Sequence, residues 1–159
     1  MIHGSRPLGQ GRQVHTLSGP AVWKVCFGAG FLYAIWIFAI GFVLGTIRTL
    51  LVAPAFGDTT AVLLEAPVIL AISWRLSRHC MRQFRVPPKV GARLLTGAIA
   101  LVVLLTAEVS VSELIVGKSI AQYFASYGSA PGLIGLAAQL CFALFPLAQG
   151  LRFANNARS

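Results

Sequence analysis

Residues 25–47 read VCFGAGFLYAIWIFAIGFVLGTI, 23 residues without one charged side chain. At 1.5 Å of rise per residue a helix of this length is about 35 Å long, enough to cross the hydrocarbon core of a bilayer. Three more apolar runs follow. Residues 59–74 form a short one, 16 residues, with Glu65 inside it. Residues 94–116 carry Glu108 and Glu113 near their end, and residues 130–151 are uncharged, with Gln139 in their middle. The expected fold is therefore all-α, an integral membrane bundle of four transmembrane helices.

Composition agrees. Of 159 residues, 57% are hydrophobic and only 11% charged, where a soluble domain carries roughly a quarter. The runs fill most of the chain and leave no room for a second domain. The expected organisation is a flexible cytoplasmic tail over 1–22, a four-helix transmembrane domain over 23–151 and a cytoplasmic tail over 152–159. The first 20 residues are polar and lack the apolar core and cleavage site of a signal peptide. The first span then reads as an uncleaved anchor.

The net charge of +9 would suggest nucleic acid in a soluble protein. Its distribution argues against that partner, because the basic residues cluster at the ends of apolar runs. Arg6, Arg12 and Lys24 precede the first span; Arg75, Arg78, Arg82, Arg85, Lys89 and Arg93 join the second and third; Arg152 and Arg158 follow the fourth. Only Arg48 and Lys118 lie at the opposite ends. The positive-inside rule then puts both termini in the cytoplasm, with the lipid bilayer as the first partner. Trp23 beside Lys24 and Trp74 beside Arg75 occupy the interfacial positions that tryptophan favours.

The second span is expected to continue as helix beyond the bilayer. Arg75, Arg78, Arg82 and Arg85 are spaced 3, 4 and 3 and share one face, with Leu76, Cys80 and Phe84 on the other, until Pro87 and Pro88 stop the helix. The arginines read as a topology signal or as a stripe for anionic lipid headgroups. In the outer connection Ser119 is placed to cap a short helix ending at Gly128. Ile120, Tyr123, Phe124 and Tyr127 fall on one apolar, aromatic face of it, suited to the interface or to a partner.

Gly41 and Gly45 have the small-xxx-small spacing that lets a neighbouring helix approach, and Arg48 follows on the same face. Asp58 is expected to be the N-cap of the second span. Arg48, Glu65, Glu108 and Glu113 all fall in the outer half of the membrane, where charge is costly unless paired or used. An Arg48–Glu65 ion pair is expected, with Glu108 protonated or bonded to hydroxyls. Pro67, two residues after Glu65, removes a backbone donor and frees the carbonyl of Leu63. Thr106, Ser110, Ser112 and Gln139 are the polar side chains that neighbouring spans offer.

No catalytic arrangement appears: no Ser/His/Asp set, no phosphate-binding glycine loop and no HExxH. Cys26, Cys80 and Cys141 lack metal-ligand spacing, and His3, His15 and His79 lie outside the apolar runs, which leaves no intramembrane haem ligand and no cofactor to expect.

GFVLGTIRTLLVAP (41–54), LLEAPVILAISW (63–74) and GLIGLAAQLCFALFPL (132–147) resemble small four-helix inner-membrane proteins of bacteria, an uncharacterised family. The resemblance covers most of residues 30–148 and implies Arg48, Glu65 and Pro67 as family features, with no activity attached. Small multidrug transporters also have four short spans and a membrane glutamate, but theirs lies in the first span, where this chain has none. Two functions follow as expectations. The first is a non-enzymatic accessory or scaffold subunit that binds a membrane-protein partner or a second copy of itself. The alternative is a small proton-coupled transporter or channel using Glu65 and Glu108.

Overall fold

A computed structural model describes residues 19–156, all helices and connections with no strand among them. Helix α1 runs Gly19–Ile47, followed by a π-helical turn, Arg48–Val52, and a short α2, Ala53–Phe56. Helix α3 covers Asp58–Gln83, α4 Val90–Leu114, α5 Ile120–Ser126 and α6 Ala130–Asn156. Four stretches, 22–56, 58–83, 90–114 and 130–152, are long and apolar enough to cross a membrane. The expected tail over 1–22 falls mostly outside the described residues. Of the tail expected over 152–159, the part to Asn156 continues α6.

The ends of these helices have local causes. Pro54 has no N–H to return to the carbonyl of Leu50, and the chain widens there, with the Ala53 N–H bonding the carbonyl of Arg48 five residues back. Gly57, at φ 81°, then turns the chain into α3. Gly57 thus holds the N-cap position; Asp58 is the first helical residue and makes no side-chain cap bond. At the other end α3 stops at Gln83, before the two prolines. Arg85 takes φ 52°, and Val86 N–H bonds back to the Met81 carbonyl. Arg85 therefore lies beyond the helix that carries Arg75, Arg78 and Arg82. Helix α5 begins with a reciprocal cap: Gln122 N–H donates to Ser119 Oγ, and Ser119 N–H to Gln122 Oε1.

The spans close a ring in the order α1, α3, α6, α4, so that α3 and α4, consecutive in sequence, do not pack side by side. Both described chain ends and the α3–α4 connection share one end of the bundle, here the basic end; the other is the cleft end. The core is packed between the middle and the basic end. Cys26, Ala29, Tyr33, Ala34 and Ile37 of α1 are buried against Ala92, Ala100 and Leu104 of α4, with Phe142 of α6 and Cys80 and Met81 of α3. Small residues set the spacing. A side chain on Gly30 would meet the carbonyl of Thr96, and one on Gly97 would collide with the carbonyl of Ala143. The close approach expected at Gly41 and Gly45 does not occur within the bundle. A methyl group on Gly45 would touch nothing, and one on Gly41 would only brush Ile69 at 4.0 Å.

Polar groups at the basic end are paired. Buried Arg93 donates to the carbonyls of Val86 and Pro87, holding the α3–α4 connection against α4. Gln149 of α6 donates to the carbonyl of Trp74 and accepts from Ser77 Oγ, tying α6 to α3. Large apolar side chains such as Phe31, Trp36, Val102 and Leu140 are exposed around the bundle, as a lipid environment permits.

Candidate functional site

Towards the cleft end the four spans part and leave a cleft of about 630 Å³. Its floor is apolar, formed by Ile37, Phe38, Ile69, Leu104 and Phe142, with the buried hydroxyl of Ser73 at its edge. Its upper walls are polar. Arg48 comes from the π-helical turn, Asp58 and Glu65 from α3, Glu108 and Ser112 from α4, Tyr123 from α5 and Gln139 from α6; Lys118 reaches in from the α4–α5 connection. Gly41 and Gly45 line the same space, so their missing side chains widen the cleft instead of seating a helix.

Two polar clusters face this space. In the first, Arg48 Nε lies 2.7 Å from Glu65 Oε2, the ion pair that the sequence leads one to expect. The side chains are 29% and 19% exposed, which leaves the pair accessible from the cleft. The Nε–H does not point along the line to the oxygen, so the contact is a charge pair rather than an aligned hydrogen bond. Pro67 lies inside α3 just below, and the helix runs through it without interruption.

The second cluster is a closed ring. Glu108 Oε2 accepts from Tyr123 Oη at 2.6 Å and from Gln139 Nε2 at 2.5 Å. Tyr127 Oη donates to Gln139 Oε1 at 3.1 Å and lies 2.9 Å from Tyr123 Oη. The ring joins α4, α6 and the segment of α5. Burial first, and then the bonds to Glu108 and Tyr127, push the phenol of Tyr123 above its ordinary value, so it remains a neutral donor.

Of the residues named from sequence, Arg48, Glu65 and Glu108 are brought together around one cleft. Glu113 is not; it is exposed and lies outside the lining. Thr106 and Ser110 bond back to carbonyls of their own helix and also stay out. Gln139 does reach in from α6. Arg75, Arg78 and Arg82 are exposed on the basic side of Ser73, and none of them lines the cleft. Sequence reading missed the inward turn of Tyr123 and Tyr127. Their spacing of four puts them on an apolar, aromatic face, and a phenol on such a face can equally meet a buried carboxylate. Comparison with protein families, with curated proteins and with solved structures finds no match to this chain.

Proposed function

We propose that the chain is a non-enzymatic, multi-pass protein of a bacterial inner membrane, with both termini cytoplasmic. It passes a small solute through the cleft, coupled to a proton at Glu108 and tuned by the Arg48–Glu65 pair. The ring around Glu108 carries this reading. It has four contacts. With Glu108 ionised, only three hydrogens serve them: one from the Gln139 amide and one from each phenol. A carboxylic acid brings the fourth. Tyr123 then accepts from Glu108 instead of donating to it, and the bonds run one way, from Glu108 to Tyr123, to Tyr127, to Gln139 and back. Loss of that proton leaves the Tyr123–Tyr127 contact without a hydrogen and loosens α5 at the mouth of the cleft. A local protonation that biases a movable segment is the element a proton-coupled carrier requires. Tight packing below the cleft, around Tyr33 and Phe142, supports access from one side at a time.

The test is reconstitution into liposomes with an internal pH dye, under imposed pH and voltage gradients, over a panel of small cationic, anionic and neutral solutes. Solute-linked proton movement is expected, and its loss in Glu108→Gln. No flux under any gradient would overturn the reading.

A second reading, an accessory or scaffold subunit, is supported by Ile120 and Phe124, which remain exposed on α5 after Tyr123 and Tyr127 turn inward. Mild extraction, affinity capture and native mass separate the two. A defined complex lost in the Ile120→Ser, Phe124→Ser variant supports the accessory role; a monomer or homodimer supports the carrier.

A further inference from the structure

All four acids of the chain lie in the cleft-end half, and the described basic end therefore carries seven exposed cations, from Lys24 to Arg152, with no carboxylate to neutralise them. Buried Arg93 is already engaged by two carbonyls. The exposed cations are not equivalent, because one place among them is built. Trp74 of α3 is held between two α6 side chains. Phe145 meets its ring edge-on at 5.2 Å, and the Arg152 guanidinium lies over it at 5.0 Å. Gln149 fixes the same turn by bonding the Trp74 carbonyl at 2.8 Å. Arg78, four residues on, lies one turn nearer the basic end on the same side of α3 and is exposed. The indole N–H of Trp74 meets no acceptor among the described residues. The place thus offers two unneutralised guanidinium groups and one free donor, at the level where apolar helix surface gives way to charge.

We infer that this α3–α6 edge is a headgroup site for an anionic phospholipid. The phosphate is held by Arg152, Arg78 and the Trp74 indole N–H, and the acyl chains run past Phe145 towards the middle of the bundle. Charge complementarity selects the occupant. Guanidinium groups take phosphate in paired hydrogen bonds, and a phosphate without a headgroup cation, as on phosphatidylglycerol compared with zwitterionic phosphatidylcholine, brings a net negative charge to cations that nothing else balances. The inference does not depend on the cleft or on transport.

The test uses the full chain, stripped of lipid in detergent and titrated with phosphatidylglycerol or phosphatidylcholine of identical acyl chains, with bound lipid read by native mass. Phosphatidylglycerol is expected to bind more tightly. The Arg78→Gln, Arg152→Gln variant should lose about thirtyfold in that affinity, from two phosphate-facing charges. Arg75→Gln with Arg85→Gln removes the same net charge from elsewhere on this end and should change it by less than about threefold. Trp74→Phe, which keeps a ring under Arg152 but removes the N–H, should also weaken phosphatidylglycerol binding. Equal losses from the two double variants would reduce the site to general surface charge and overturn the inference. So would equal affinity for the two lipids.

Discussion

Tyr33 Oη donates to the carbonyl of Phe142 at 3.2 Å, across the bundle from α1 to α6. Four residues beyond Phe142 stands Pro146, which has no N–H to give that carbonyl. The phenol therefore replaces a helical hydrogen bond, and its ring stacks on Phe142 with centroids 4.4 Å apart. Tyr33 is fully buried just beneath the cleft floor. Tyr33→Phe keeps the stack and strands the carbonyl, which should cost about 1–3 kcal/mol of stability. Adding Pro146→Ala restores an N–H to the helix and should recover part of that loss. Thermal unfolding in detergent of the single and double variants checks this; a double variant no more stable than Tyr33→Phe would show that the carbonyl is not the cause.

Glu108→Gln can place an amide oxygen where one Glu108 oxygen meets both Tyr123 and Gln139, but that oxygen only accepts and brings no fourth hydrogen to the ring. The variant should therefore mimic the deprotonated ring, with a thermal stability slightly below that of the parent chain, while proton-linked flux is lost. Glu108→Ala leaves Gln139 and Tyr123 without their shared acceptor in a half-buried site and should cost about 1–3 kcal/mol. If Gln and Ala destabilise equally, the ring is not the unit proposed.

Much of this arrangement was legible in the chain, and the remainder has a common physical cause. The uncharged run at 25–47 and the placement of the cations define four spans, because charge at the wrong depth is costly. Helical spacing puts Gly41, Gly45 and Arg48 on one face and lets Gln139 reach inward. Spacing cannot say which helix that face meets. In lipid every face of a span is apolar, so no amphipathic signal ranks the neighbours. The ring order, with α3 and α4 apart, is decided by backbone contacts such as Gly97 against Ala143. That order directs Tyr123 to Glu108 and Tyr127 to Gln139, and leaves Glu113, on the same helix as Glu108, exposed. Helix α3 ends about one turn before Pro87 and Pro88, because the left-handed Arg85 terminates it before the prolines can.

The Arg48–Glu65 pair should show modest coupling. Each side chain keeps access to the cleft, so solvent there weakens the attraction. A double-mutant cycle with Arg48→Gln and Glu65→Gln should give about 1 kcal/mol of coupling in stability. The coupling should fall as salt is raised, if ions enter the cleft. A salt-independent value above about 3 kcal/mol would mean that the pair is sealed from solvent.

Two glycine substitutions test where the helices actually touch. A Cβ at Gly97 would run into the backbone carbonyl of Ala143, and no rotamer change relieves a collision with backbone. Helices α4 and α6 must then separate, and Gly97→Ala should lose about 2–3 kcal/mol. At Gly45 a Cβ meets no atom within 4 Å, and alanine has the better helix propensity. Gly45→Ala should therefore be neutral or stabilising, by up to about 1 kcal/mol, in the isolated chain. Because the two glycines, Gly41 and Gly45, line the cleft, Gly45→Leu should narrow it and reduce solute-linked flux with little change in the monomer's thermal stability. If Gly45→Ala instead destabilises the monomer as much as Gly97→Ala, α1 must pack more closely at the cleft end than the open cleft allows.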